Sequence, residues 1–380
     1  MNDWGGVQVS SSAAVGFSRL RVRYGSQLRV TSAGSVGLSD SQLEHIYSLS
    51  LQGSEVSLAG SSVGAWAGAD LLSTGAGGVS ATGNALTTTG GGGLWVSAKA
   101  ALLAPVEVSG NELDGGGLSV EQAGPADLSS GVAPRVENNL VRNAGVALRI
   151  DAYRLKPSQL LGNQGDPSNK TNAMLVSGAL DEDLTLPVAA GLPWVVGKDQ
   201  REGPGNAESR NGLEVPAGRT LTLLRGSVLK FERHTSPQYG PFVLRVANGG
   251  RLALGPGTDP VTLTALRDDS VGGDTNGDGS ATAPQNDDWG GIRVDASVPV
   301  AWSGLRVRYA SVVQVVSAGS VAVNESELSG QVQLQGDGVE LAGSVVNARY
   351  VEVSSTGSGA ARFVSNSVTG GPVWVSAKAA

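Results

Sequence analysis

Residues 3–43 return at residues 288–328 without a gap, with 22 identities over 41 positions. The two copies read DWGGVQV…RLRVRYGS…SAGSV…SDSQL and DWGGIRV…GLRVRYAS…SAGSV…NESEL. The offset is 285 both from Trp4 to Trp289 and from Leu43 to Leu328. It falls to 283 at Gly53/Gly336, 282 at Thr74/Thr356 and 279 at Trp95/Trp374, and both copies close on WVSAKAA. Short deletions between intact blocks are what loop variation on a preserved scaffold looks like. A long internal repeat constrains the fold more than any local propensity, because each unit must be able to follow the last. The expected division is the C-terminal part of one unit in residues 1–173 and the start and middle of the next in 174–380, broken in the polar stretch 157–172. The tract before the second copy reads NDDWGG, while the chain opens Met1-Asn2-Asp3-Trp4, so it reads as cut from inside a longer array, and its lack of a signal peptide is uninformative.

A shorter period lies inside the long one. A larger apolar residue, two others, Ser or Asn, one other and a second apolar residue recur at Leu38-Ser41-Leu43, Leu58-Ser61-Val63, Ala81-Asn84-Leu86 and Val108-Asn111-Leu113. The pattern returns at Val323-Ser326-Leu328, Leu341-Ser344-Val346 and Phe363-Asn366-Val368, with a degenerate copy at Arg135-Asn138-Leu140. The final positions advance by 20, 23, 27 and 27 residues, then by 18 and 22. Short β runs spaced by Gly/Asn/Ser turns at 18–27 residues predict an all-β chain folded as a parallel β-helix, one coil per step. Stacked coils place equivalent side chains over one another at the inter-strand spacing of ~4.8 Å. Inward Leu and Val then form columns, and a Ser or Asn at one corner hydrogen-bonds along the stack. A string of Ig-like sandwiches would need turns every ~8–12 residues, which this spacing does not give.

Composition agrees. Glycine supplies 56 of 380 residues, and it is the residue that turns sharp corners at positive φ. No segment keeps a helical apolar period for three turns. Cysteine is absent, which excludes thiol nucleophiles, thiolate metal sites and disulfides, although a large extended core needs no disulfide in any compartment. A net charge of −7 and an isoelectric point near 5.0 argue against a general nucleic-acid or anionic-membrane binder. The longest apolar run, 186–197, is broken by Pro187 and Pro193, so no membrane insertion is expected within this chain.

The most specific tract runs LEVPAGRTLTLLRGSVLKF at 213–231, then GGRLALGPGTDPVTLTALRDDSVGGDTNGDGSATAPQNDDWGGI at 249–292, then LRVRYA at 305–310. It resembles the right-handed parallel β-helix repeats of large bacterial cell-surface and secreted proteins, and the resemblance covers essentially the whole unit. The resemblance implies a right-handed β-helix, export to the cell surface or medium, and structural or adhesive service. It implies no reaction.

One segment carries concentrated chemistry. In Asp274-Thr275-Asn276-Gly277-Asp278-Gly279, oxygen side chains at positions 1, 3 and 5 precede a glycine, as in the front half of a calcium loop. Ser280 would add a backbone carbonyl at position 7. Position 12 is Gln285 where an EF-hand has a bidentate glutamate, so a Ca²⁺ site must be completed otherwise, from Asp268, Asp269, Asp287 or Asp288. The plainer alternative is a solvated acidic loop whose Asp and Asn serve turn geometry.

Other constellations point to less. Arg21 and Arg23 recur as Arg306 and Arg308; their alternation puts both on one strand face, where pairing with carboxylates is the expected role and acidic glycans the alternative. Trp4, Trp95, Trp289 and Trp374 recur between the copies, and packing on glycine at a coil corner is expected over stacking on sugar rings. His45 and His234 are the two histidines, and neither sits in a Ser–His–Asp context. Carboxylates gather at 268–288, where a cation loop accounts for them, and in the small cluster Asp181-Glu182-Asp183.

The expected function is therefore a non-enzymatic structural or adhesive module of a bacterial surface or secreted repeat protein, stabilised by calcium, with loop insertions at 197–212 and 267–288. The alternative is a carbohydrate-binding or polysaccharide-degrading β-helix. The partners expected are surface glycans or other copies of the array, and open coil ends favour end-to-end self-association.

Overall fold

The computed structural model describes residues 4–98, 105–122, 132–189, 191–197, 212–233 and 243–377. They form an all-β, β-solenoid-like architecture of parallel ladders, in two compact units, Met1–Leu175 and Val176–Ala380. Among the described residues no helix is long and apolar enough to cross a membrane.

In the first unit the strands pair in parallel with their counterparts in the next coil, three ladders side by side. One ladder runs through Val7–Ser11, Gln27–Ser32, Ser48–Gly53, Ala69–Ser73, Leu94–Ala98, Leu118–Gln122 and Leu148–Asp151. A second runs from Val15–Ser18 through Val36–Ser39, Val56–Ala59, Val79–Thr82 and Val106–Ser109 to Arg135–Glu137. The third runs from Arg21–Arg23 through Gln42–Ile46, Ser62–Ala65, Ala85–Thr88, Glu112–Asp114 and Leu140–Arg142 to Gln164–Gly165. Period-two alternation turns one set of side chains inward on every ladder. The result is columns of like residues: Val36, Val56, Val79 and Val106 in one, and Leu43, Val63, Leu86, Leu113 and Val141 in another, all buried. Each fully buried Val or Leu contributes about 1.5–3 kcal/mol of transfer free energy.

The Ser/Asn corner is a continuous hydrogen-bonded line. The backbone N–H of Ser41 donates to Ser61 Oγ (3.1 Å), that of Ser61 to Asn84 Oδ1 (2.9 Å), and that of Asn84 to Asn111 Oδ1 (3.1 Å). The line goes on from Asn111 to Asn139 Oδ1 (3.1 Å) and from Asn139 to Asn163 Oδ1 (3.2 Å). These links span 20, 23, 27, 28 and 24 residues. The degenerate copy expected at Asn138 is therefore one residue out of register: Asn139 carries the ladder, with Val136 and Val141 in the core columns. Asn138 instead has φ +56°, and the residues before the other ladder positions, Asp40, Gly60, Gly83, Gly110 and Gly162, also have positive φ. The left-handed residue makes the bend and the Ser or Asn after it satisfies the next coil, which is why the corner reads Gly-Asn or Asp-Ser.

The second unit repeats this plan. One ladder passes from Gly212–Val215 through Val243–Val246, Gly291–Ala296 and Val312–Ser317 to the long strands Glu327–Gly336 and Val345–Ser355 and on to Val373–Ala377. Its corner line runs from Ser326 N–H to Ser344 Oγ (3.1 Å) and from Ser344 N–H to Asn366 Oδ1 (2.9 Å). Trp289 shows how the repeated DWGG works: its indole N–H donates to the Arg308 carbonyl (2.8 Å), as Trp4 donates to Arg23 (2.9 Å). The second glycine of each motif, Gly6 and Gly291, has positive φ, and a Cβ there would run into the backbone of Gln27 or Val312 in the following coil.

Candidate metal centre

Between strand Val261–Ala265 and strand Gly291–Ala296 the chain leaves the ladder in a run of turns and bends, the expected insertion at 267–288. The insertion at 197–212 falls almost wholly outside the described residues. The base of the acidic loop is tied to the coil body. Asp268 is buried and accepts hydrogen bonds from Thr264 Oγ1 (2.6 Å), the Ser270 N–H (3.2 Å) and the Ser270 hydroxyl. At the exit, Asp288 is buried, accepts the Gln285 N–H (2.9 Å) and pairs with Arg233 (3.3 Å). Asp287 pairs with Arg349 (2.6 Å). Beside them the Trp289 ring lies on Phe231 with centroids 3.9 Å apart.

Lys230 comes up from strand Val228–Phe231, fully buried, and its ammonium donates to the Gly273 carbonyl at 2.6 Å. Burial pushes its pKa down, against the pull of Asp269, Asp268 and Asp274 upward. Nothing in the local sequence VLKF marks this lysine as the loop's anchor; only the coil stacking brings it under residues some forty positions away.

The middle of the loop holds the cluster. One carboxylate oxygen from each of Asp269, Asp274 and Asp278 lies within 4.8 Å of the others. Asp274 accepts the N–H groups of Asp278 (3.3 Å) and Gly279 (2.8 Å), which curls the loop around its carboxylate. Asn276 Nδ2 donates to Asp278 Oδ2 (2.7 Å) and Thr282 Oγ1 (3.1 Å), and the Thr282 hydroxyl donates to Asp278. Asp269 Oδ1, Asn276 Oδ1 and Asp278 Oδ1 are buried atoms without a hydrogen-bond partner. The Asp269 pKa is raised, first by burial and then by the neighbouring Asp274 charge, with Lys230 working the other way.

These residues fit a hard cation. Two oxygens bound to one Ca²⁺ at ~2.4 Å cannot be more than ~4.8 Å apart, and the carboxylate triplet meets that bound. Orphaned buried oxygens are costly unless something pairs with them. Of the residues expected to complete the loop, Asp269 joins Asp274 and Asp278. Asp268, Asp287 and Asp288 are held by protein partners outside the triplet, and Ser280 lies exposed in the turn after Gly279.

Elsewhere, Arg23 pairs with Glu44 (3.0 Å), and Arg308 grips Glu327 with two bonds of 2.9 and 3.0 Å, the carboxylate pairing expected of this strand face. Of the recurring tryptophans, Trp289 is buried as expected for a corner residue, whereas Trp4 and Trp374 are exposed. Asp183 accepts the Thr220 N–H (2.8 Å), a structural bond. His45 stacks on Tyr24, and His234 lies outside the described residues. No protein-family model, curated protein or solved structure matches this chain.

Proposed function

We propose that the chain is a structural or adhesive module of a bacterial cell-surface or secreted repeat protein, a right-handed parallel β-helix whose acidic insertion is locked by calcium. The observation that carries this reading is the pairing of a self-stacking scaffold with one cation-shaped cluster. The Ser/Asn corner line recurs in both units, as a scaffold of coils that stack on one another requires. Among the described residues Asp269, Asp274 and Asp278 form the one acidic or histidine cluster close enough to share an ion. A bound Ca²⁺ would be held by these carboxylates with Asn276 Oδ1, and would neutralise a loop that Lys230 only partly balances. Export and surface display rest on the resemblance of the 213–310 tract to surface β-helix repeats.

Calorimetric titration with CaCl₂ tests the cation. Binding heat and a rise in thermal stability are expected for the native chain, and neither for the D274A/D278A variant. Absence of heat and of stabilisation in the native chain would overturn the calcium lock. A reducing-sugar release assay over a polysaccharide panel tests the non-enzymatic assignment, which turnover of any polymer would overturn.

A further inference from the structure

A cleft of about 670 Å³ opens on the outer side of the third ladder of the first unit. Its walls are Glu44, His45 and Tyr47 on one coil and Thr87 and Thr89 two coils on, and Trp66 closes it. The strand between them, Ser62–Ala65, turns only Ser62 and Gly64 outward, so the floor is nearly bare. The aromatic side chains are ordered in pairs. Tyr47 stacks on Trp66 with centroids 5.2 Å apart at 19°, and Tyr24 stacks on His45 at 5.1 Å and 8°. The Trp66 ring also rests against the backbone of Gly90, where a Cβ would collide with it. Yet Trp66 remains 52% exposed and Tyr47 47%.

The second copy shows that the coil does not need them. There the two-residue deletion after Leu328 removes the Tyr47 position, and the broken pair of strands Gln42–Ile46 and Ser48–Gly53 becomes the single strand Glu327–Gly336. By the same register, Val63 and Ala65 correspond to Val346 and Ala348, so Gly64 is replaced by Asn347 and Trp66 by Arg349. The floor is filled and the stacked Tyr47–Trp66 pair has no counterpart, the nearest aromatic contact being Tyr350 edge-on to Trp374, while the same ladder closes. Exposed aromatics that the scaffold can do without, held rigid beside an open floor, need an explanation outside folding.

We propose that this cleft binds a neutral oligosaccharide segment of a glycan. Its volume lies within the usual ~300–1,000 Å³ of small-ligand sites. A pyranose presents an apolar C–H side and a rim of hydroxyls; the exposed flank of the Tyr47–Trp66 stack suits the first. Glu44, His45, Thr87 and Thr89 supply donors and acceptors for the second. The charge of Glu44 is matched by Arg23 at 3.0 Å, so the cleft offers no unbalanced charge to an ionic ligand. Rings already packed before binding lose little freedom when a ligand arrives. The site stands on the first unit alone and is independent of calcium.

The test is calorimetric titration of the full chain with cellohexaose, maltohexaose, laminarihexaose, mannohexaose and chitohexaose, and with polygalacturonate and heparin as charged probes. Saturable binding of at least one neutral hexaose is expected, unchanged by EDTA. Trp66→Ala should weaken it by about tenfold or more. The double change Gly64→Asn with Trp66→Arg places the second repeat's residues at these two positions, so it should fold, with an unchanged far-ultraviolet circular dichroism spectrum, and abolish binding. No binding of any neutral hexaose, binding indifferent to both variants, or tighter binding of a charged probe would each overturn the proposal.

Discussion

Asn111 Nδ2 donates to Asn139 Oδ1 at 2.8 Å, while the Oδ1 of Asn111 accepts both the backbone N–H and the side-chain amide of Asn84. Asn111 also donates to the Ala81 carbonyl (2.9 Å), so one fully buried side chain satisfies groups on the coils to either side of its own. Asn111→Ala orphans several of these groups at once and should cost about 3 kcal/mol. Asn111→Ser keeps an acceptor for the Asn84 N–H, as Ser61 does for Ser41, and should cost about half as much. Guanidinium denaturation of the two variants checks the order; equal losses would mean that the amide contributes nothing beyond its oxygen.

Trp289 and Trp4 occupy the same place in the repeat and make the same indole hydrogen bond, but Trp289 is fully buried on Phe231 and Trp4 is 44% exposed. Trp289→Ala should therefore cost about 3–5 kcal/mol and Trp4→Ala less than about 1 kcal/mol. Denaturation midpoints of the two variants measure the difference, and comparable losses would show that corner geometry, not burial, sets the value of this tryptophan.

Burial and the neighbouring Asp274 charge raise the pKa of Asp269 in the cluster. Its folded-state pKa lies above the ordinary aspartate value of ~3.9, so without calcium its favourable contribution is complete below the ordinary value and is lost as pH rises through the raised one. Calcium reverses the sign by favouring the carboxylate. The calcium-free chain should gain stability from this group on acidification through that window, and the stabilisation by CaCl₂ should shrink over the same range. Asp269→Asn should flatten the calcium-free profile there and weaken the calcium response. Melting curves against pH with CaCl₂ or EDTA read both effects.

Gly291→Ala should be among the most damaging single methyl additions. The position has φ +92° and its Cβ would overlap the Val312 carbonyl, so strain and a backbone clash act together. A loss of several kcal/mol is expected by denaturation, against less than about 1 kcal/mol for alanine at Gly16, where a Cβ meets nothing and φ is ordinary.

The parallel stacking, the inward columns of Val and Leu and the Ser/Asn corner were legible in the sequence, because each depends on alternation and turn chemistry within one coil, repeated. Leu38-Ser41-Leu43 and Val108-Asn111-Leu113 carry the pattern in six consecutive residues, and the structure stacks them as the spacing implies. The acidic loop was legible for a similar reason: Asp274, Asn276 and Asp278 are neighbours in the chain.

Other features depend on what lies one coil above or below, some twenty or more residues away in sequence. Stacking decided that Asn139 rather than Asn138 takes the ladder and that Lys230 anchors the loop. It also placed Tyr47 beside Trp66 over a bare Gly64. The sequence by itself determined the coil, whose information is local; only the tertiary structure decided which equivalent-looking side chains meet, since that is set by the register between coils.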